Sequence, residues 1–243
     1  MKIPKKINPD NLKHTIIQVL YNPAIPHELF VGSFNHHFSD SFKFVGAPPK
    51  RNELKLSGSD GLVMESLQRG FFLDHTEQVK IDVGDAGIVF NSFKGYVGWD
   101  NYFPIISSTV DKLFRLGLIK EITRIGIRYI SQFDNVNLTD NLKMNLEINV
   151  VNESLESTQV RTEYFDETYK VILTLINKIK KAQDESKQEN LTSIVDIDVI
   201  QTFEGLVDPE KALEVIENGH RKQKTTFFSL LRPEFLESLK PEY

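Results

Sequence analysis

The chain has 243 residues, 40% hydrophobic and 10% aromatic, enough apolar surface for one large core or two small ones. Its 29 Lys and Arg against 34 Asp and Glu leave a net charge of -5, so no overall field draws it onto a phosphate backbone or an anionic membrane. The absence of Cys excludes disulfides, thiolate nucleophiles and every zinc or iron–sulfur site built on thiolates.

In chain order, His14 to Tyr21 carries β-branched Ile16, Ile17 and Val19 and reads as a strand ended by Asn22-Pro23. A helix follows from Pro26, with Leu29, Phe30, Phe34 and Phe38 at helical spacing up to Ser39-Asp40. Glu53 to Ser57 and Leu62 to Leu67 flank a turn at Ser59-Asp60-Gly61, and the apolar run goes on to Phe71-Phe72-Leu73. Val79 to Val83 and Ile88 to Phe93 form a hairpin about Gly84-Asp85-Ala86-Gly87. From Phe103-Pro104 a second amphipathic helix carries Ile106, Val110 and Leu113 and stops at Gly117.

The second half begins with a strand from Glu121 to Phe133 and a short helical piece at Leu138 to Leu142. Strands are expected at Leu146 to Val151, Gln159 to Phe165, Tyr169 to Ile176 and Ser193 to Thr202, with Lys178 to Asn190 as a long solvated hairpin tip. Asp208-Pro209-Glu210 is a strong helix start, and that helix bends at Gly219 before a last turn with Phe235, Leu236 and Leu239.

Strand, helix, about four strands and helix thus occur twice, giving an N-terminal half, 1–117, and a C-terminal half, 118–243, packed as one compact unit. The fold class is α+β: mostly antiparallel sheet, in two similar β-α-β4-α halves, with helices packed on one face. The arrangement resembles the duplicated fold of TATA-box-binding proteins, an analogy of fold that carries no function.

Two strands bear the chemistry. In Thr123 to Ser131 the two-residue period puts Arg124, Gly126 and Arg128 on one face and Ile125, Ile127 and Tyr129 on the other. In Ile194 to Ile200 it sets Asp196 and Asp198 against Val195, Ile197 and Val199. Neighbouring strands would let the guanidinium forks grip the carboxylates, as a structural ladder of ion pairs. The functional reading makes the same residues the floor of a groove between the halves, where Arg69, Arg124 and Arg128 offer donors to a phosphate or carboxylate. A magnesium ion on Asp196 and Asp198 is the weakest of the three, for want of a third ligand.

The six His are scattered, and adjacent His36 and His37 are not the i, i+4 pair of a metalloprotease, so surface or capping roles are expected for all six. No Gly-x-Ser-x-Gly elbow, P-loop or dinucleotide fingerprint occurs, and the Gly-containing turns read as hairpins. Basic clusters at Lys178, Lys180, Lys181 and at Arg221, Lys222, Lys224 beside Phe227 and Phe228 match a solvated face better than a nucleic-acid tether. Tyr96 and Trp99 are expected to pack the second helix onto the sheet. The basic start, Met1 to Lys6, lacks the apolar stretch of a secretory signal, and no run reaches membrane-spanning length, so a cytoplasmic protein that meets no membrane is expected.

Ile3-Pro4-Lys5-Lys6, Gln68-Arg69-Gly70-Phe71, Tyr96 with Trp99, Gly126-Ile127-Arg128-Tyr129-Ile130, Asp196-Ile197-Asp198 and Phe227 together resemble a sporadically distributed family of uncharacterised bacterial proteins of about this length. The chain departs from that pattern at Ser131, where the family commonly has Asn. The resemblance implies no reaction, cofactor or catalytic residue, and its patchy distribution implies mobile-element or phage-defence genes as context. The expectation is a non-enzymatic module, without cofactor or metal, that binds a small anionic ligand or a protein partner through Arg69, Arg124, Arg128, Tyr129, Asp196 and Asp198. The alternatives are a metal-dependent hydrolase or nuclease using Asp196 and Asp198, and a local nucleic-acid binder.

Overall fold

The computed structural model describes residues 2–46, 71–144, 157–180 and 191–243, the side chains of 178–180 excepted. The predicted hairpin at 53–67, the strand Leu146 to Val151, the hairpin tip from 181 onward and Arg69 lie outside the described residues.

The fold is α+β, with nine strands and five helices among the described residues. In chain order these are β1 (Leu12–Pro23), α1 (His27–His37), β2 (Phe42–Val45), β3 (Phe71–Asp74), β4 (Val79–Gly84), β5 (Gly87–Ser92), α2 (Trp99–Arg115), β6 (Ile119–Asp134), α3 (Leu138–Asn141), β7 (Thr158–Asp166), β8 (Tyr169–Lys180), β9 (Leu191–Leu206), α4 (Pro209–Leu230) and α5 (Pro233–Ser238). The strands hydrogen-bond in the order β2-β3-β4-β5-β1-β6-β9-β8-β7, as a large antiparallel sheet. No helix among the described residues is long and apolar enough to cross a membrane.

By its contacts the chain divides into two compact units, and the long strands β1, β6 and β9 contribute residues to both. One unit comprises Gln18–Thr123 and Phe203–Pro209. Its core is aromatic: Phe34 of α1 lies 4.2 Å from Phe38 and 4.6 Å from Phe72 of β3, while Tyr21 of β1 stacks on Phe30 at 5.4 Å. Asp74 closes the β3–β4 turn by accepting the amides of Gln78 and Val79. Helix α2 starts four residues before the predicted Phe103, because Gly98 takes a φ of 83° that turns the chain into it. Pro104 therefore lies inside the helix, and Gly117, at φ 63°, ends it as expected. Trp99 stacks on Phe103 at 5.2 Å and meets Tyr102 edge-on, both contacts within α2 itself.

The other unit comprises Met1–Ile17, Arg124–Thr202 and Glu210–Tyr243. Helix α4 runs unbroken through Gly219, contrary to the expected bend. Gly219 instead allows close approach: a Cβ there would sit 2.4 Å from Ile127 Cδ1 and 3.6 Å from the Tyr169 ring. Helix α4 thus lies on the face of β6 and β8 formed by Ile127, Tyr129 and Tyr169, all buried. Alternation sends Arg124, Gly126 and Arg128 to the opposite face.

Candidate functional site

Strands β7, β8 and β9 pair antiparallel, so directly opposed residues share a face. One row on the face away from α4 runs Arg161, Thr174, Asp196, and the next runs Glu163, Ile172, Asp198. Strand β6 brings Arg128 against Asp196 in a bidentate grip: Nε donates to Oδ1 at 2.9 Å and Nη2 to Oδ2 at 2.6 Å. The Asp196 side chain is only 12% exposed. Hydrogen bonding to Asp196 raises the Arg128 pKa above its ordinary value, outweighing the burial that opposes it.

The second rung differs. Between Arg124 and Arg128 on this face of β6 stands Gly126, which leaves space where a side chain would be. Arg124 fills that space from the side, its guanidinium nitrogens 3.3 and 3.4 Å from where a Gly126 Cβ would stand. The resulting approach to Asp198 is 3.9 Å, beyond hydrogen-bonding distance. Burial therefore dominates the Asp198 carboxyl and raises its pKa, with Arg124 and then Arg128 opposing the shift.

A third carboxylate on this face shows what full pairing looks like. Glu163 meets Arg161 at 2.7 Å and Lys170 at 2.5 Å, and hydrogen bonding to first Lys170 and then Arg161 lowers its pKa. The period-2 signal that exposed the Arg124 and Asp196 stripes was present in Gln159 to Phe165 and identifies Arg161 and Glu163 as well. On β1, His14 joins the set: partial burial and the nearby Arg128 charge hold its pKa below the usual imidazole value.

Among the candidate residues, the structure brings Arg124, Arg128, Asp196 and Asp198 together, all within one unit. Tyr129 is not with them. It is 5% exposed on the α4 face, with its hydroxyl 2.9 Å from His220 Nδ1. His220 is itself buried, and burial first, then the charges of Lys224 and Arg221, bring its pKa down to about 3. The surface role expected of this His does not hold, because Gly219 carries α4 too close to the sheet for residue 220 to reach water. Ser131 is buried too.

The basic residues of α4 are engaged within the chain. Lys222 Nζ is 2.5 Å from Asp166 and 3.7 Å from Glu167, and stands 5.6 Å over the Tyr169 ring. These groups line a polar cleft of about 350 Å³ together with Arg221, which itself sits 3.9 Å from Glu217. Phe227 and Phe228 are buried against each other and offer no stacking surface. Among the described residues no group of three or more His, Asp or Glu side chains is placed to hold a metal ion.

No protein family, curated protein or solved structure matches the chain.

Proposed function

We propose that the protein is a non-enzymatic binding module whose polar sheet face, centred on Arg124, Arg128, Asp196 and Asp198, recognises a charged ligand or a protein partner. The observation that supports this is the unequal pairing of two like rungs: Arg128 and Asp196 are closed on each other, while Asp198 is partly buried and accepts no hydrogen bond among the described residues. A carboxylate that folding desolvates without a full partner costs stability, and such groups gather where a ligand completes them. Neighbouring mobile-element or defence genes, and a place in the cytoplasm, belong to the same reading.

The duplicated architecture is part of the proposal. The first half runs β1, α1, four strands, α2, and the second runs β6, α3, three described strands, α4 and α5. Strand order mirrors about β1 and β6, with β5 and β9 outside them. The fourth strand expected in the second half is Leu146 to Val151.

The hydrolase alternative is disfavoured by Arg128, which takes both oxygens of Asp196 that a metal would need. On α4 the nucleic-acid alternative is disfavoured by Lys222, which is held by Asp166 and largely buried; its other cluster, Lys178, Lys180 and Lys181, lies outside the described side chains. The test is a thermal-shift titration with acetate, phosphate, short acidic and basic peptides, magnesium and manganese. A ligand of this face raises the melting temperature of the wild type, by the equivalent of about 2.7 kcal/mol at a hundredfold excess over Kd, and loses that effect in Arg124→Ala and Asp198→Asn. Stabilisation by magnesium that vanishes in Asp196→Ala, Asp198→Ala favours the hydrolase instead. Nucleic-acid binding that weakens steeply with salt favours the third reading.

A further inference from the structure

The three carboxylates on the polar face of β6 to β9 are alike in chemistry and unlike in occupancy. Asp196 holds one guanidinium through two hydrogen bonds. Glu163 holds two cations, one on each oxygen. Asp198 has one cation at 3.9 Å and accepts no hydrogen bond among the described residues, with its side chain 21% exposed. An ionised carboxylate offers about four lone-pair sites, and a planar fork of N–H donors fills two of them at once.

From this geometry we infer that Asp198 is the docking point for a guanidinium group, an arginine side chain carried by a polypeptide partner. The inference rests on the binding reading above and names the chemistry of its partner.

Two features argue for a cation at this point. The Arg128–Asp196 pair, two residues away on the same face, shows that the backbone spacing here suits a bidentate arginine–aspartate contact. Glu163 shows that a carboxylate on this face takes a second cation beside the first, so Arg124 at 3.9 Å does not exclude an incoming one. An arginine is favoured over a lysine because its weakly hydrated planar fork loses less on leaving water for a partly buried site.

The experiment is an NMR titration of protein carrying 13C at aspartate Cγ, with N-acetyl-arginine amide at constant ionic strength. The expected result is a saturable shift of the Asp198 Cγ resonance and a downward move of its titration midpoint, with Asp196 Cγ changing far less. N-acetyl-citrulline amide, of equal shape and no charge, should leave Asp198 unmoved, and N-acetyl-lysine amide should bind several-fold more weakly. An arginine-containing peptide that binds more tightly than the single amide supports a polypeptide source, whereas equal affinity overturns that part and leaves a free guanidine as the ligand. No shift at Asp198 with the arginine amide, or an equal shift with citrulline, overturns the inference. If acetate or phosphate then moves the Arg124 Nε resonance, the face still binds and only the cation assignment has failed; if no probe moves either residue, both readings fall together. Asp198→Asn, which keeps the shape and removes the charge, should fold and lose the arginine response.

Discussion

The two rungs of the charged ladder use the same pair of residue types on the same two strands, yet one is closed and the other is not. Arg128 and Asp196 make two hydrogen bonds. Arg124, leaning over Gly126, comes only to 3.9 Å of Asp198. Position, and not composition, decides which carboxylate is satisfied. The closed rung belongs to stability, and the open one is where stability has been set aside.

The largest break in this comparison is Arg128→Ala. It strands the Asp196 carboxylate in a site 12% exposed, and should lower unfolding free energy by about 3 kcal/mol, read as a lower urea midpoint at unchanged slope. A loss under about 0.5 kcal/mol would show that the closed rung is not structural. Next is the acid limb. Burial holds His220 neutral with a pKa of about 3, so between an unfolded value near 6.5 and that point the unfolded chain binds the extra proton. Its contribution is present above about pH 6.5 and is lost as pH falls toward 3, amounting to roughly 2 to 5 kcal/mol. A flattened acid limb in His220→Gln, by urea denaturation at stepped pH, checks this.

Asp198 gives the opposite sign. Its pKa is raised in the fold, so its contribution is favourable below the unfolded carboxylate value and is lost as pH rises through the folded one. At neutral pH Asp198→Asn should therefore raise the urea midpoint while Asp196→Asn lowers it, a contrast that sharpens the comparison within one pair of isosteric changes. The smallest effect belongs to Gly126→Ala. The new Cβ meets Arg124 Nη2 at 3.3 Å, so the flexible guanidinium gives way. Stability should change by less than about 1 kcal/mol, while the NMR shift of Arg124 Nε moves clearly.

Much of this was legible in the sequence because two-residue alternation is a strong signal on half-buried strands. Arg124, Gly126 and Arg128 against Ile125, Ile127 and Tyr129 gave the facing of β6, and the Asp196 stripe gave that of β9. The α+β class followed from hairpin turns and from Asp208-Pro209-Glu210 at the head of α4. Strand β2, Phe42–Val45, was not legible, since four residues with two aromatics carry no period, and its pairing to β3 is what makes it a strand. The burial of His220 was not legible either, because it depends on how closely α4 approaches the sheet at Gly219. The unequal reach of the two arginines was hidden too: no local pattern says that Arg124 comes no nearer to Asp198 than 3.9 Å.

The close seat of Gly219 against Ile127 bears on how the other side of β6 behaves. A helix pressed this tightly to the back of the strand leaves it no room to bow, so folding itself fixes the spacing of Arg124 and Arg128 on the front.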